Sequence, residues 1–285
     1  MVGQIGQNGE MIRKLKDYFE KRKDVVMAFL FGSFAKGQAV YDSDVDIAVY
    51  FKPEKQKIEL EEDKIYPGEN QIWEDVEKII KRNVDLVILN KARPLVAFDV
   101  LQTGMPIIIK NRSLYCNFYS LIHSSALDFM EFSQDYRLVK ERSNSLSETD
   151  KERLARLTEF LEEEVKSYED FKNLEWKEYS LNRHIKRDVE HWLENIVNAS
   201  IDTVKIVLAS EKLPRPETYK DTMKSLEVIR GEFDKKTAEK LSELTSLRNI
   251  ITHEYLDIRW RQIQEFIKTS KPSYEYLIEF VKKNY

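Results

Sequence analysis

The sequence predicts a small α/β domain followed by an all-α helical bundle. Helical and strand patterns alternate over residues 1–110, whereas no strand pattern follows Asn111. A chain of 285 residues is long enough for two domains of ordinary size, and its 42% hydrophobic residues are enough for their cores. We expect the α/β domain over residues 1–142, a linker over 143–149 and the helical domain over 150–285.

Four short strands and three helices are predicted in the first domain. The strands are apolar, partly β-branched runs at residues 25–31, 45–51, 84–89 and 107–109. The helices are predicted by a 3.6-residue apolar period at residues 11–22 and 72–81, and by Pro94 and Gly104, which stand where a third helix begins and ends. Strands that are apolar throughout indicate a mostly buried sheet.

All later elements are predicted to be helical and to form an antiparallel bundle. Apolar periods predict helices at residues 113–142, 150–168, 189–209, 241–255 and 260–281. Thr149, with Glu152 three residues later, predicts a capping box for the helix that follows the linker. Pro214 and Pro216 interrupt the helical pattern because proline cannot continue a helix.

Composition excludes several classes of protein. The chain has 46 Lys and Arg residues and 50 Asp and Glu residues, a balance that argues against a wholly electrostatic nucleic-acid binder but leaves room for a local basic site. The single cysteine, Cys116, excludes an internal disulfide and a Cys-based zinc site, and its apolar neighbours predict that it is buried. No apolar run is long enough to span a bilayer, and the first ten residues lack an apolar signal core. We therefore expect a soluble, cytoplasmic protein with no membrane partner.

The first group of candidate site residues surrounds the ends of three predicted strands. Gly32 and Ser33 follow the first strand, and Asp44 and Asp46 begin the second. Residues two apart on a strand leave the same face, so these two carboxylates can share a divalent metal such as Mg²⁺. Asp85, in the third strand, completes the group if the second and third strands pair. Three carboxylates around metal ions suit in-line attack on a nucleotide phosphate; the alternative is a polar hairpin with surface aspartates.

This pattern resembles the minimal nucleotidyltransferases, or MNT domains, of the polymerase-β superfamily. Their motif is Gly-Ser, ten residues, then Asp-x-Asp. The matching residues are Phe31-Gly32-Ser33-Phe34-Ala35-Lys36-Gly37 and Ser43-Asp44-Val45-Asp46-Ile47. The resemblance implies that Asp44, Asp46 and Asp85 are catalytic and bind Mg²⁺ or Mn²⁺. It also implies that Gly32 and Ser33 bind the triphosphate of ATP, the substrate.

A second group of candidate residues lies near the end of the chain. Arg248 and His253 are five residues apart, which is about 140° around an ideal helix, so a distorted turn or a partner helix is needed to bring them into one cleft. A histidine can take a proton from a ribose 2′-hydroxyl, and an arginine can hold the phosphate. That cleavage needs no metal. The alternative is a solvated arginine and a structural histidine.

The same segment resembles the Arg-x4-His-x-Tyr motif of HEPN domains of the HepT type. The matching residues are Arg248, Asn249, His253 and Tyr255, and the resemblance extends over the helices from about residue 150 to residue 285. It implies a four-to-five-helix bundle that forms a homodimer and cleaves RNA, for which tRNA and mRNA are the candidate substrates. It also implies that Arg248 and His253 are the catalytic pair and that Asn249 is a polar helper. In paired systems of this family an MNT antitoxin transfers AMP to the motif tyrosine, which is Tyr255 here.

Both motifs lie on one chain, so the sequence predicts a fused MNT–HEPN protein of the toxin–antitoxin type. The predicted activity is AMP transfer from ATP to Tyr255, which silences the ribonuclease half. The alternative is a nucleotidyltransferase that modifies a small-molecule hydroxyl, as aminoglycoside-modifying enzymes do, with the helical half as a non-catalytic binding or dimerisation module.

Residues 183–187 form the only basic cluster dense enough to suggest an RNA phosphate contact; the alternative is a solvated helix face.

Overall fold

The computed structural model describes residues 2–38, 43–54, 58–229, 233–247 and 260–285, with side chains described from residue 9 onward within these ranges. The chain divides into two compact units, Met1–Phe129 and Met130–Tyr285.

The first unit is built from a sheet and its covering helices. Its elements, in chain order, are α1 (Val2–Lys21), β1 (Val25–Phe31), α2 (Gly32–Ala35), β2 (Val45–Phe51), α3 (Glu69–Ile80), β3 (Val84–Ile88), α4 (Pro94–Thr103) and β4 (Met105–Ile109). All four predicted strands and all three predicted helices are therefore confirmed. Two features were not predicted: α1 begins nine residues earlier than its apolar period, and the single turn α2 follows β1 directly.

The four strands form one mixed sheet in the order β3-β2-β1-β4. β1 pairs antiparallel with β2 and with β4, while β2 and β3 are parallel. β1 and β2 are almost wholly buried, as their continuous apolar sequences predict. Leu15 and Phe19 of α1 and Ile72 and Val76 of α3 pack into the same core. This small mixed sheet with helices confirms the predicted fold class of the first domain.

Every regular element among the described residues of the second unit is helical, including a short 3-10 helix, Ser225–Val228. The helix α5 (Arg112–Arg142) contributes its residues from Met130 onward. The helices that follow are α6 (Glu148–Lys166), α7 (Tyr168–Phe171), α8 (Trp176–Leu181), α9 (Arg183–Ser210), α10 (Tyr219–Lys224), α11 (Lys235–Leu244), α12 (Trp260–Thr269) and α13 (Lys271–Asn284). α6 packs against α9 and α13, and α11 packs against α10 and α13. The bundle expected after the α/β domain is therefore confirmed.

Three local predictions are wrong. The predicted helix over residues 260–281 is two helices that divide at the buried Ser270, because Pro272 lacks the N–H that a continuous helix would need. The cap of α6 is Ser147 rather than Thr149: the Ser147 hydroxyl accepts from the Asp150 N–H at 3.2 Å. Cys116 is exposed.

The domain boundaries predicted from the sequence stay predictions. Within the second unit, the last turns of α5 contact the segment that follows α9: the Tyr136 hydroxyl donates to the Leu213 carbonyl at 3.0 Å. None of the described helices combines the length and the apolar character that a membrane span requires.

Candidate functional site

Gly32 stands at the point where β1 ends and the turn α2 begins. Its φ of +67° lies in the left-handed region that glycine adopts readily. A Cβ atom at this position would lie 1.9 Å from Oδ2 of Asp46, well inside any real contact distance. The glycine predicted to approach a phosphate therefore also makes room for a carboxylate of the candidate site.

Asp46 and Asp85 are brought together by the parallel pairing of β2 with β3. The register places them directly opposite each other, between the pairs Val45 with Val84 and Ile47 with Leu86. Neighbouring strands are about 4.8 Å apart and side chains in register leave the same face, so the two carboxylates point the same way. The pairing on which the role of Asp85 depended is thus present.

Asp44 precedes the first residue of β2 and is exposed, as is Asp85, whereas Asp46 is partly buried. Burial raises the pKa of the Asp46 carboxyl, and the negative charges of Asp85 and Asp44 raise it further. The backbone N–H of Ser33 donates to the Asp46 carboxylate and partly offsets this effect. The predicted residues Gly32, Ser33, Asp44, Asp46 and Asp85 therefore lie in one neighbourhood.

Carboxylate oxygens are the donors that Mg²⁺ and Mn²⁺ prefer, and cations would relieve the repulsion that raises the pKa of Asp46. The chemistry of the three aspartates therefore fits a divalent metal. Among the described residues, however, no three His, Cys, Asp or Glu side chains are already gathered closely enough to hold a metal ion. Metal binding would need changes in side-chain rotamer, or oxygen ligands from the nucleotide phosphates.

Two cationic side chains near this neighbourhood were not selected from the sequence. Lys36 follows α2, and its Nζ lies 3.7 Å from Oδ1 of Asp99. The Arg82 guanidinium lies 5.5 Å from the centroid of the Phe34 ring, in α2. Lys36 could have been found because it lies within the glycine-rich motif. Arg82 has no motif of its own, since it is placed by the pairing of β3 with β2.

The second predicted site falls outside the described residues. Arg248, Asn249, His253 and Tyr255 all belong to the segment 248–259, which separates the buried Leu247 from Trp260 at the start of α12. Their predicted roles stay predictions.

Comparison with known protein families gives two matches that together span most of the chain. The family described as "Polymerase beta, Nucleotidyltransferase" matches residues 13–113. The family described as "Ribonuclease HepT-like" matches residues 151–283. The first match contains the Gly32-Ser33 turn and the three aspartates, and the second contains the Arg248–Tyr255 motif.

Parts of the chain are also similar to solved structures. One is a crystal structure of a toxin–antitoxin with AMP-PNP, with 19% identity and a TM-score of 0.35 over 43% of this chain and 93% of that one. Two others are mutants of a toxin–antitoxin named MntA-HpeT. They show 19% and 20% identity and TM-scores of 0.35 and 0.34 over 45% of this chain and 93% and 92% of theirs. No curated protein sequence matches the chain.

Proposed function

We propose that this chain, in which a polymerase-β-type nucleotidyltransferase domain precedes a HepT-like HEPN domain, transfers AMP from ATP to a tyrosine of its own HEPN domain. The favoured acceptor is Tyr255, in the same chain or in a second copy. In this proposal the modification silences a metal-independent ribonuclease in the HEPN half.

The observation that carries the transferase proposal is the juxtaposition of Asp46 with Asp85 beside Gly32. Two carboxylates with no intervening strand repel each other, and one of them has a raised pKa. Perturbed carboxyl groups of this kind concentrate at functional sites. The glycine that Asp46 requires is the glycine of the nucleotidyltransferase motif.

The proposed reaction is a substitution at the α-phosphorus of ATP. The Tyr255 hydroxyl oxygen forms a bond to this phosphorus, the bond from the phosphorus to the bridging oxygen of the β-phosphate breaks, and pyrophosphate leaves. The phenolic proton passes to a carboxylate, for which Asp85 is the candidate because it is exposed beside the half-buried Asp46. Gly32 lets the backbone approach the triphosphate closely, and the Ser33 hydroxyl is the candidate donor to a phosphate oxygen, since the Ser33 N–H already donates to Asp46.

Asp44, Asp46 and Asp85 would hold Mg²⁺ or Mn²⁺ together with the phosphate oxygens. The metal, when bound, stabilises the charge of the attacking and leaving oxygens. The protein's own contribution is to hold the carboxylates on two adjacent strands, where the sheet limits their movement.

In the HEPN half, His253 would take the proton of a ribose 2′-hydroxyl, and Arg248 would stabilise the charged phosphate that forms, with Asn249 as a polar helper. An AMP group on Tyr255 adds a negative charge two residues from His253 in the sequence. That charge would pair with Arg248, and its bulk would obstruct RNA, so modification and cleavage would be mutually exclusive. A homodimer through this domain would assemble the cleft.

Intact mass spectrometry tests the transferase proposal. The purified chain is measured before and after incubation with ATP and Mg²⁺, and any adduct is mapped by peptide analysis. We expect AMP additions on Tyr255 that are lost in the Asp44→Ala/Asp46→Ala variant and in Tyr255→Phe. Asp17→Ala is the matched control, because Asp17 is an exposed aspartate on α1.

The same experiment separates the two candidate functions. An adduct on another residue, or none on the wild type, would remove Tyr255 as the acceptor. Transfer of AMP to a soluble hydroxyl compound in place of the protein would then support the small-molecule alternative. Cleavage of RNA by the unmodified chain, lost in His253→Ala and in Arg248→Ala, is the corresponding test of the ribonuclease half.

A further inference from the structure

The second unit carries an open cavity of about 710 Å³ between α8 and the start of α9. Lys177, Arg183 and His184 line it, together with Glu175, Glu178 and Leu181. We call this cavity and the neighbouring Trp176 and Arg187 the α8–α9 surface. Its volume is in the range of small-ligand sites and is large enough for one nucleotide unit.

The cations of this surface are exposed and available. In the part of the chain that the structure describes, Lys177, Arg183 and Arg187 have no carboxylate partner, whereas the neighbouring Lys186 pairs with Glu190 at 3.9 Å. Exposed cations without partners are the groups that bind phosphates and release counterions. Glu175 and Glu178 line the same cavity and reduce its net positive charge, so phosphate binding depends on the cations that have no carboxylate partner.

The backbone at the start of α9 does not provide the phosphate site. The side chain of Asn182 already accepts from the N–H groups of His184 and Ile185, at 3.0 Å and 3.4 Å. Binding of a phosphate therefore depends on the side chains of Arg183, His184 and Lys177.

An aromatic platform adjoins these cations. Trp176 is 56% exposed although its ring is held in place, with its centroid 6.1 Å from that of Trp260. The Tyr179 ring packs against Trp260, with 5.0 Å between the ring centroids, and the Tyr179 hydroxyl donates to Glu190 at 2.6 Å. A fixed, exposed aromatic ring beside free cations is the combination with which proteins bind unpaired nucleobases.

The aromatic platform is also close to the HEPN motif in the sequence. Trp260 follows Tyr255 by five residues and His253 by seven. The contour length of the chain limits these Cα–Cα distances to about 18 Å and about 25 Å. A strand of RNA that reaches His253 needs to extend only a few nucleotides to reach Trp176.

We infer that the α8–α9 surface binds single-stranded RNA, with phosphates on Arg183, His184 and Lys177 and a base stacked on Trp176. This inference rests on the proposed ribonuclease function and adds an anchoring site outside the Arg248–His253 pair. Contacts of this kind give affinity without much sequence preference, so the surface would position RNA strands of varied sequence for the nuclease.

Fluorescence anisotropy with the full chain tests the inference. The probe is a labelled 2′-O-methyl oligoribonucleotide of about 12 nucleotides, a length that can occupy one single-strand site. It lacks the 2′-hydroxyl, so binding is measured without cleavage. We expect Lys177→Glu/Arg183→Glu and Trp176→Ala each to raise Kd roughly tenfold. The charge variant should also reduce the slope of log K against log salt by about one per lost phosphate contact.

Matched variants and folding controls make the test specific. Arg156→Glu reverses an exposed arginine and Phe160→Ala removes an exposed aromatic ring, both on α6, and neither should change Kd. Trp176→Phe keeps a stacking ring and should bind more tightly than Trp176→Ala. Circular dichroism of every variant confirms that the helices are retained.

Any of these results would overturn the inference: wild-type protein that does not bind the probe, variants at Lys177, Arg183 and Trp176 that bind as tightly as wild type, or controls that weaken binding equally. Duplex RNA that binds as well as the single strand would also overturn it, because a paired base cannot stack on Trp176. Failure of the proposed function would be seen in other measurements, as an absent AMP adduct or as absent cleavage, by the unmodified chain, of RNA that carries its 2′-hydroxyls. Binding of the probe is measured independently of both.

Discussion

Asp46 and Asp85 occupy opposite positions in the parallel pairing of β2 with β3, so two carboxylates lie side by side near the amino-terminal ends of these strands. Asp44, just before β2, adds a third negative charge, and burial and repulsion together raise the pKa of Asp46. Such an arrangement lowers the stability of the folded chain unless a cation is bound. The transferase site proposed above would explain why the fold tolerates it.

Neutralising this repulsion should stabilise the protein. The raised pKa of Asp46 means that the unfolded state accommodates the charged carboxylate better than the folded state does. Asp46→Asn should therefore raise Tm at pH 7 by about 2–4 °C while abolishing AMP transfer. The gain should shrink as the pH falls from the raised pKa of folded Asp46 towards the unfolded value of about 3.9, and should vanish below it, because wild-type Asp46 is then protonated in both states.

Thermal unfolding of Asp46→Asn and wild type in metal-free buffer, from pH 7 down to about pH 3, measures this difference in Tm across the pKa of an unfolded aspartate. Asp17→Asn, on the exposed face of α1, should leave Tm unchanged at every pH. A lower Tm for Asp46→Asn at pH 7 would show that the bond from the Ser33 N–H outweighs the repulsion.

Gly32 and Gly37 provide a matched pair for the role of the turn after β1. Both have positive φ, +67° and +68°, but a Cβ at Gly32 collides with Asp46, whereas a Cβ at Gly37 meets nothing within 4 Å. Each alanine variant should lose about 1 kcal/mol of stability through its backbone conformation. Only Gly32→Ala should also displace Asp46, lowering the rate of AMP transfer by about 100-fold.

Rates of adduct formation and urea unfolding of the two variants separate these effects. Equal loss of transfer in Gly32→Ala and Gly37→Ala would show that the turn conformation matters and that the contact with Asp46 does not.

The sheet and the candidate aspartates could be predicted because their signals are local. Strands such as β1 and β2 are buried on both faces and therefore read as continuous apolar runs. The two-residue period of a strand predicted that Asp44 and Asp46 share a face, although β2 begins at Val45 and Asp44 lies just before it. The position of Asp85 opposite Asp46 was only a conditional prediction, since register depends on pairing between distant segments.

The wrong predictions also have physical causes. Cys116 has apolar neighbours in the sequence, but the buried face of α5 passes through Phe118, Leu121 and Ile122, so the helical period leaves Cys116 outside. The collision that Gly32 avoids was not predictable, because it joins two strands through the tertiary structure. The break at Ser270 was predictable, since Pro272 is visible in the sequence.

The N-cap residue of α6 is Ser147 in the structure, whereas the sequence predicted Thr149. The Ser147 hydroxyl accepts from the Asp150 N–H at 3.2 Å and donates to the Asp150 carboxylate at 2.5 Å. Ser147→Ala should cost about 1 kcal/mol, the usual loss for a removed N-cap. Thr149→Ala should be nearly neutral because the exposed Thr149 lies within the first turn. Urea unfolding of the two variants decides between them, and a larger loss for Thr149→Ala would favour the capping box predicted from the sequence.

Asp135 is the centre of a charge network inside the second unit. Its carboxylate accepts from Arg153 at 2.8 Å and from Lys205 at 2.7 Å, and the Lys205 side chain is only 7% exposed. Burial alone would raise the pKa of Asp135, but the bonds from Arg153 and Lys205 outweigh burial and lower this pKa to about 2. Because the folded pKa is depressed, the stabilisation is present above the unfolded value of about 3.9 and is lost as the pH falls towards 2.

Asp135→Asn should therefore destabilise the second unit by about 2–3 kcal/mol at pH 7, near the lower limit for a broken buried pair, because Asp202 still contacts Lys205 at 2.8 Å. Urea unfolding followed by tryptophan fluorescence reports mainly on this unit, which contains three of the four tryptophans, Trp176, Trp192 and Trp260. Glu152→Gln breaks an exposed pair with Arg156 and should cost under about 0.5 kcal/mol. The difference in free energy of unfolding between Asp135→Asn and wild type should decrease as the pH falls from about 4 to about 2. A pH-independent loss would mean that packing of Asp135, and not its charge, supports the bundle.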